Sequence, residues 1–265
     1  MKLSQQSFDA VAAAFHQISG IKLVPAKRQL VIGRLQKLAG ERGLSDLDAY
    51  VDLVIKGKDQ AELVKVVDRL TTNETYFFRE PQHFEFLADL LRQRRPGGGD
   101  FRVWSAASSS GEEAYSIAML LADKIGARGW QIVGTDLSTA MVDAARRALY
   151  PMERARNTSP AYLKRFCLKG NGPYDGQLLV KKELRANVQF MQANLMQPLP
   201  DIGMFDVVFL RNVLIYFESD AKAEIVRRVM PLIKPGGYLF TGHSESLSNL
   251  NTGLVAVKPA IYARV

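Results

Sequence analysis

Charged and amide side chains follow the short apolar runs in the C-terminal two thirds of this chain. Glu113 comes soon after the first run and Asp136 directly after the second, while Asn194 and then Arg211 and Asn212 follow the later ones. If these runs are parallel strands, their carboxyl ends share one edge of a sheet, which is where open α/β folds bind ligands. We therefore expect these side chains to surround one crevice.

The acidic residues indicate what kind of ligand the crevice takes. Residues 105–111 are small and end in a glycine, so a ligand can approach the backbone closely beside the start of a helix. Glu112 and Glu113 at that helix start repel a diphosphate and suit a ligand that carries an ammonium or sulfonium group. Alternatively, one or both glutamates only stabilise the first helical turn through the helix dipole.

The other strand ends complete a pocket for a nucleoside. Asp136 is placed to accept both hydroxyls of a ribose, or it is the N-cap of a helix over residues 138–149. Asn194 and the neighbouring backbone at Leu195 could read the edge of an adenine. Together with Arg211 and Tyr216 after the fourth run, they describe an adenosine pocket without phosphate recognition.

A polar and aromatic segment precedes the sheet. Residues 73–79 read NETYFFR and place Asn73 and Thr75 beside three aromatic residues and Arg79. Aromatic residues at a junction between domains are usually buried, so we expect Phe77 and Phe78 in the core. The polar residues of this segment are candidates for ligand binding.

The pattern of apolar residues predicts two structural parts. Residues 1–70 carry apolar residues at spacings of three and four and lack strand signals, which indicates several short helices. A helix is expected over residues 81–94, followed by a flexible glycine-rich connector at 96–99. Strands are expected over residues 101–106, 131–135, 188–192, 205–210 and 238–241, alternating with helices as in an α/β parallel sheet covered on both faces.

Turn residues interrupt this alternation at 169–176. We interpret them, with the apolar residues 178–180 and 188–190 downstream, as a small antiparallel insertion. It is either a surface hairpin or an exposed edge strand that pairs with an extended peptide.

Composition excludes several classes of protein. The chain has 265 residues with 47% hydrophobic and 23% charged, which is ordinary for a folded protein. No apolar run approaches the roughly 18 residues that span a bilayer, so we expect a cytoplasmic protein without membrane insertion. A single cysteine and three scattered histidines give no spacing typical of metal ligands, and we predict no metal.

The net charge of +8 favours an anionic partner or simply a solvated surface. Basic residues concentrate between residues 20 and 42, including Arg34 and Lys37. On a helical wheel they do not separate cleanly from the apolar face. Binding of a partner by this helix therefore stays open.

Four motifs in order resemble the chemotaxis receptor methyltransferases, the CheR family. They are NETYFFR at 73–79, WSAA through GEE at 104–113, RNVLIYF at 211–217 and GHSE at 242–245. One difference is Ala114, where the family usually has proline, which leaves the helix start less pre-organised. The resemblance implies a Rossmann-like class I methyltransferase domain, a small all-α N-terminal domain and an inserted antiparallel β-subdomain. It also implies that S-adenosylmethionine donates a methyl group to glutamate side chains on the cytoplasmic helices of chemoreceptors, leaving S-adenosylhomocysteine.

The resemblance also implies which residues act. Arg79 and Tyr216 would lie nearest the transferred methyl group. Arg34 and Lys37 would dock acidic receptor helices, and the insertion would grip a C-terminal receptor peptide. The cofactor would contact Asn73, Thr75, Arg79, Glu113, Asp136, Asn194, Leu195, Arg211 and Asn212, and the peptide would lie near Gly172, Tyr174 and Gly176.

The predicted domains are a helical docking domain at 1–72, a linker and helix at 73–99, and a methyltransferase domain at 100–265 with an insertion at 168–190.

We expect a monomer that binds no nucleic acid. Residues 211–214 lack the Asp/Asn-Pro-Pro-Tyr pattern of amino-group methylation of nucleic acids, and residues 107–113 lack the GxGxxG of a nicotinamide dehydrogenase. Residues 242–246 end in serine where a hydrolase nucleophile elbow needs glycine. A receptor-binding adaptor without activity remains the alternative, and it would bind no S-adenosylhomocysteine.

Overall fold

The computed structural model describes residues 1–94 and 99–265, so most of the predicted glycine-rich connector lies outside the described residues. Within these ranges, no helix is both long enough and apolar enough to cross a membrane.

The N-terminal part is helical, as its apolar spacing predicts. Ser4 accepts a hydrogen bond from the backbone N–H of Ser7 and so caps the first helix, and Asp59 caps the fourth through the N–H of Glu62. The helices are α1 Gln5–Ser19, α2 Arg28–Glu41, α3 Leu47–Val51 and α4 Gln60–Leu70, with a short 3₁₀ turn at Pro25–Lys27 and a π turn at Asp52–Lys56.

These helices bury a cluster of apolar residues drawn from residues 3–70. Val31 and Leu35 on α2 are fully buried, and Phe8 and Phe15 on α1 pack into the same cluster. A separate core in this part of the chain supports the predicted boundary at residue 72, which stays a prediction.

The remaining chain alternates strands and helices. The strands are β1 Phe101–Ala106, β2 Trp130–Asp136, β3 Leu149–Pro151, β4 Cys167–Lys169, β5 Gln177–Val180, β6 Val188–Gln192, β7 Phe205–Leu210, β8 Ile233–Thr241, β9 Val255–Lys258 and β10 Ile261–Ala263. The helices are α5 Pro81–Gln93, α6 Glu112–Ile125, α7 Thr139–Arg147, α8 Pro160–Phe166, α9 Lys182–Arg185 and α10 Ser219–Val229.

In the described part of the chain, seven strands form the main sheet in the order β6-β2-β1-β7-β8-β10-β9. The pairs from β6 to β8 are parallel, and β10 and β9 add antiparallel at one edge. Neighbouring residues of a strand face opposite sides, so Val103 packs beneath α5 and α6 while Trp104 joins the cluster that contains α10. Both faces are therefore covered, as the near-continuous apolar runs predict.

The insertion differs from its predicted form. The three-stranded sheet has the order β3-β5-β4, so it includes Leu149–Pro151 from before the predicted segment. Residues 188–190 are not part of it, because β6 pairs in parallel with β2 and forms an edge of the main sheet. The sequence could not distinguish these pairings, since a short apolar run suits either sheet.

Candidate active site

A cavity of about 180 Å³ lies at the carboxyl ends of the parallel strands, beneath the N-terminal helices. Leu23, Lys27 and Leu30 of the N-terminal part contribute to its wall. Every residue predicted to contact the cofactor or the methyl group lines this one cavity: Asn73, Thr75, Arg79, Glu113, Asp136, Asn194, Leu195, Arg211, Asn212 and Tyr216.

Asp136 ends β2 and is 8% exposed. Its carboxylate accepts hydrogen bonds from the backbone N–H groups of Ser109 at 2.8 Å and Ser138 at 2.9 Å. Burial raises its pKa to about 6. Ser138, not Asp136, caps α7 by accepting from the N–H of Met141, so the alternative role of Asp136 as the N-cap is wrong.

The loop after β1 comes close to the cavity because several of its residues have left-handed backbone. Ala107, Ser109 and Gly111 have φ of 71°, 49° and 96°. Gly134 on the adjacent strand leaves no space for a side chain, since a Cβ there would lie 2.5 Å from the ring of Phe190. Of the loop after β1, Ala107, Ser108 and Ser109 line the cavity, so it presents small side chains and backbone to a ligand.

Glu113 lies in the first turn of α6 and meets Arg211 from the end of β7. The Glu113 carboxylate accepts from Nη1 of Arg211 at 3.0 Å and from the hydroxyl of Ser105 at 2.7 Å. Burial raises the pKa of Glu113 although the Arg211 guanidinium opposes that rise. Arg211 also donates to the carboxylate of Glu80 at 3.0 Å, so one buried cation joins two carboxylates.

Glu112 faces away from the cavity. Its carboxylate accepts from the hydroxyl of Ser110 at 2.6 Å and lies 3.5 Å from Nη1 of Arg154. Burial raises its pKa. Of the two adjacent glutamates, only Glu113 reaches the cavity, which matches the interpretation that one of them serves the helix start.

The segment at residues 73–79 crosses the cavity between the two parts of the chain. The N–H of Phe77 donates to the carbonyl of Arg154 at 3.0 Å, and the N–H of Phe78 donates to the hydroxyl of Ser116 at 2.9 Å. Phe77 is fully buried and Phe78 packs half-buried against the same core, as predicted. This anchoring points Arg79 into the cavity, where its Nη1 donates to the carbonyl of Glu74 at 2.8 Å.

The side chain of Asn194 already has protein partners. Its Nδ2 donates to the carbonyl of Ile18 at 2.6 Å and its Oδ1 accepts from the N–H of Met196 at 2.9 Å. The residue therefore links the end of β6 to the C-terminal end of α1. An adenine at this wall would be read by the backbone around Leu195 in preference to this amide group.

Tyr216 lies in a short 3₁₀ turn at Leu214–Tyr216, after β7. Burial raises the pKa of its hydroxyl, so the group stays protonated and can donate a hydrogen bond at neutral pH. Its side chain lines the same cavity as Arg79.

The predicted receptor-binding residues are not among the residues that line the cavity, although Arg34 bonds two residues that are. Lys37 is exposed on α2, whereas Arg34 is half-buried and donates to the carbonyl of Leu70 at 2.7 Å and that of Thr71 at 3.1 Å. Arg34 thus holds the end of α4. In the turn between β4 and β5, Tyr174 is 55% exposed, and Gly172 and Gly176 on either side have left-handed backbone.

Glu80 holds two residues of the cavity wall in place, and its sequence context gave little indication of this. Its carboxylate bonds both Arg211 and, at 3.1 Å, Nδ2 of Asn212, and its pKa is lowered because these partners outweigh its burial. Its only signal was its position directly after Arg79.

Glu80 also brings a ligand atom within 4.8 Å of His83 and His243, a cluster that the sequence spacing did not indicate. A cation there would face the Arg211 guanidinium, which disfavours a metal.

The donor set of the cavity fits S-adenosylmethionine. Three acidic residues line the cavity, Glu74, Glu113 and Asp136, and within the described part of the chain the loop after β1 has these carboxylates beside it in place of a GxGxxG phosphate loop. Such acceptors suit a ligand with ribose hydroxyls and an ammonium or sulfonium group. Arg79 has a guanidinium group in the cavity that can bind a carboxylate, whereas the guanidinium of Arg211 is buried and held by Glu113, Glu80 and the carbonyl of Arg79. A mostly parallel sheet with such a cavity at its carboxyl edge defines a Rossmann-like, class I methyltransferase.

Comparisons with known proteins identify the family. Residues 73–262 match the CheR methyltransferase, SAM binding domain, and residues 6–71 match the CheR methyltransferase, all-alpha domain. The chain is 40% identical to the chemotaxis protein methyltransferase of Escherichia coli strain K12 over 99% of this chain and 92% of that protein. It is likewise 40% identical to the chemotaxis protein methyltransferase of Salmonella typhimurium strain LT2 over 94% and 87%. A solved structure of the glycopeptide N-methyltransferase MtfA with S-adenosylmethionine shares 15% identity over 63% of this chain and 54% of that chain, with a TM-score of 0.39.

The chain belongs to the CheR methyltransferase family. It is an S-adenosylmethionine-dependent methyltransferase of chemotaxis, and the expectations on fold, cofactor and enzyme class are confirmed.

Proposed function

We propose that this enzyme transfers the methyl group of S-adenosylmethionine to glutamate side chains of chemoreceptors and forms glutamyl methyl esters. The observation that carries the proposal is that Glu113, Asp136, Arg79 and Tyr216 all line one cavity. The acidic pair suits the donor, and the arginine and tyrosine suit an acceptor carboxylate.

The carboxylates and amides of the cavity would hold the donor. Asp136 would accept from its ribose hydroxyls, Glu113 from its ammonium group, and the backbone around Leu195 would meet its adenine. Asn73 and Thr75 would contact it from the segment above the sheet. When bound, S-adenosylmethionine supplies an electrophilic methyl group on a sulfonium.

An acceptor glutamate needs no general base, because a free glutamate side chain titrates near pH ~4.3 and is ionised at neutral pH. The protein's part is to orient that carboxylate and exclude water from it. Arg79 keeps donors free beyond its bond to the carbonyl of Glu74 and can hold a carboxylate in the cavity. The protonated hydroxyl of Tyr216 is the second candidate donor to the acceptor.

The reaction is tested with labelled S-adenosylmethionine and membranes that carry candidate receptors. We expect label on receptor protein that base releases as methanol, the signature of a methyl ester. Label that resists base would indicate methylation of nitrogen and would overturn the glutamate assignment. Calorimetry with S-adenosylhomocysteine distinguishes an inactive adaptor, which would give no binding heat.

We also propose that the small sheet binds an extended C-terminal segment of the receptor. Strand β5 is central in the order β3-β5-β4, so β4 is a free edge. Its Leu168 is 52% exposed, and Tyr174 in the turn that follows β4 is 55% exposed. A peptide could add as a fourth strand, with apolar side chains beside these residues.

The β4 register gives a sharp test of this docking. Gly170 donates to the carbonyl of Gln177, and Lys181 donates to that of Phe166, so the intervening N–H of Lys169 points to the free edge. Lys169→Pro removes that outward donor and leaves the pairing with β5 in place. We expect it to abolish binding of a receptor C-terminal peptide, whereas Lys169→Ala keeps binding. Equal binding by both variants would rule out strand addition at β4.

The enzyme would act as a monomer on cytoplasmic receptor domains. One chain supplies every described wall of the cavity, including Leu23 and Leu30 from the N-terminal helices, which supports a site complete in one copy. Docking of acidic receptor helices would use the exposed Lys37, while Arg34 would act by holding the end of α4.

A further inference from the structure

Glu245 is a buried carboxylate behind the cavity wall and not part of the wall itself. It is 4% exposed and lies in the turn that follows β8. Its own N–H donates to the carbonyl of Gly242 at 2.8 Å, and its carbonyl accepts from the hydroxyl of Thr241 at 2.8 Å. The turn therefore fixes the side chain in one direction, toward the end of β7.

There the carboxylate collects backbone donors from two loops. The N–H groups of Asn212 and Gly242 both donate to Oε2 at 2.6 Å, and the N–H of Ile215 donates to Oε1 at 3.2 Å. Charge-assisted hydrogen bonds of this kind are about twice as strong as neutral ones. Glu245 thus fastens both ends of the short loop that runs from Asn212 to Ile215.

The loop needs such a fastening because Asn212 has left-handed backbone, with φ of 57°. That conformation costs a residue other than glycine on the order of 1 kcal/mol, although asparagine tolerates it better than most. The side chain of Asn212 is held as well, since its Nδ2 donates to Glu80 at 3.1 Å. Asn212 is therefore fixed through its backbone by one carboxylate and through its side chain by another.

The Glu245 carboxylate is closely packed against its neighbours. A Cβ at Gly242 would lie 2.6 Å from Oε2 of Glu245 and 2.6 Å from Nδ2 of Asn212. The loop end, the turn and the carboxylate therefore pack as one unit, and a shift of Glu245 must move Asn212.

We propose that Glu245 is a positioning residue of the methyltransferase site. It acts through the backbone of Asn212 and Ile215 to set how the loop presents Arg211, Asn212 and Tyr216 to the cavity. This inference rests on the proposed function, because it assumes that the cavity holds the methyl donor and the acceptor.

The test is Glu245→Gln, measured by calorimetry with S-adenosylhomocysteine and by thermal unfolding. Glutamine keeps one oxygen acceptor and replaces the other by an NH₂ group, which opposes one of the backbone donors. We expect about ten-fold weaker binding, because a loop that is no longer held in place must be ordered when the ligand binds. Asn212→Gly removes the strain of the left-handed backbone. In that background, Glu245→Gln should cause a smaller loss of affinity for S-adenosylhomocysteine.

Glu62→Gln is the matched control. Glu62 is another buried carboxylate, 1% exposed, but it bonds Tyr50, Arg42 and Lys65 in the N-terminal bundle. The variant Glu62→Gln should unfold at a lower temperature than the wild type and bind S-adenosylhomocysteine with unchanged affinity. Equal affinities of Glu245→Gln and the wild type would overturn the positioning role, while a wild type that binds no S-adenosylhomocysteine would instead refute the proposed function.

Hydrogen exchange on the wild type provides a measurement that needs no variant. The amides of Asn212 and Ile215 lie in a loop, yet their bonds to a buried carboxylate should protect them as strongly as amides of β7. Exchange as fast as that of exposed loops would contradict the fastening by Glu245.

Discussion

Nη1 of Arg211 lies 3.0 Å from Oε2 of Glu113, a residue 98 positions earlier in the chain. The contact joins the loop after β7 to the first turn of α6 across the carboxyl edge of the sheet. Nη2 of the same guanidinium, 1% exposed, also bonds Glu80. One buried cation therefore fixes the start of α6, Glu80 and the loop after β7 relative to one another.

Arg211→Met should destabilise the fold by about 3 kcal/mol, because removal of one partner leaves buried carboxylates unpaired. The expected measurement is urea unfolding near neutral pH. Arg227→Met is the control, since Arg227 pairs with Glu224 on α10 but its side chain is 71% exposed. Exposed pairs contribute roughly 0 to 1 kcal/mol, so a similar loss in both variants would refute the central role of Arg211.

Arg79→Ala should reduce methyl transfer to receptors by at least about a hundred-fold with the fold intact, because it removes the forked donor for a carboxylate in the cavity. Transfer of labelled methyl groups and the unfolding temperature are measured together. Arg156→Ala is the matched control for Arg79→Ala, because both guanidinium groups lie over the ring of Tyr76, at 5.8 Å for Arg79 and 5.4 Å for Arg156. Near wild-type transfer by Arg79→Ala would contradict its role.

The raised pKa of Asp136 predicts how the affinity for the cofactor depends on pH. Burial raises its pKa to about 6, so most molecules carry the neutral acid at pH ~5, and the neutral form accepts ribose hydroxyls poorly. We expect affinity for S-adenosylhomocysteine to fall about ten-fold between pH ~7 and pH ~5. Calorimetry on Asp136→Asn should show weaker binding at neutral pH and a flatter dependence. An unchanged dependence in that variant would assign the titration to another group.

The lowered pKa of His83 predicts how the free energy of unfolding depends on pH. Burial and the Arg211 charge lower the pKa of His83 from 6.5 to about 3, although the carboxylate of Glu80, 3.4 Å from its Nδ1, opposes this shift. Below pH ~6.5 the unfolded chain takes up a proton that the folded chain accepts only near pH 3, so the free energy of unfolding falls as pH drops through this window.

His83→Phe should remove this contribution, which amounts to about 2 kcal/mol at pH ~5. Urea unfolding at pH ~7 and pH ~5 gives the change in stability for each protein, and the change should be smaller in the variant. The exposed His16, replaced by glutamine, serves as control. If His83→Phe loses as much stability on acidification as the wild type, His83 does not resist protonation in the folded state.

The sequence identified the site through residue types at strand ends. The strands over Phe101–Ala106, Val188–Gln192 and Phe205–Leu210 have the predicted bounds, because apolar runs between turn residues are read locally. The carboxyl edge of a parallel sheet then brings the following residues together, whatever the loops do in detail. For this reason Asp136 and Arg211 were predictable as neighbours of one cavity.

Pairings over long distances were decided by the tertiary structure alone. The membership of β3 in the small sheet, the link from Asn194 to Ile18, and the clamp of Glu80 and Glu245 on Asn212 join residues far apart in the chain. A carboxylate in a sequence carries no sign of which donor it will meet, since that depends on the packing of distant elements. The sequence thus determined which groups are present and which strands carry them, while packing determined which of them bind ligand and which hold those in place.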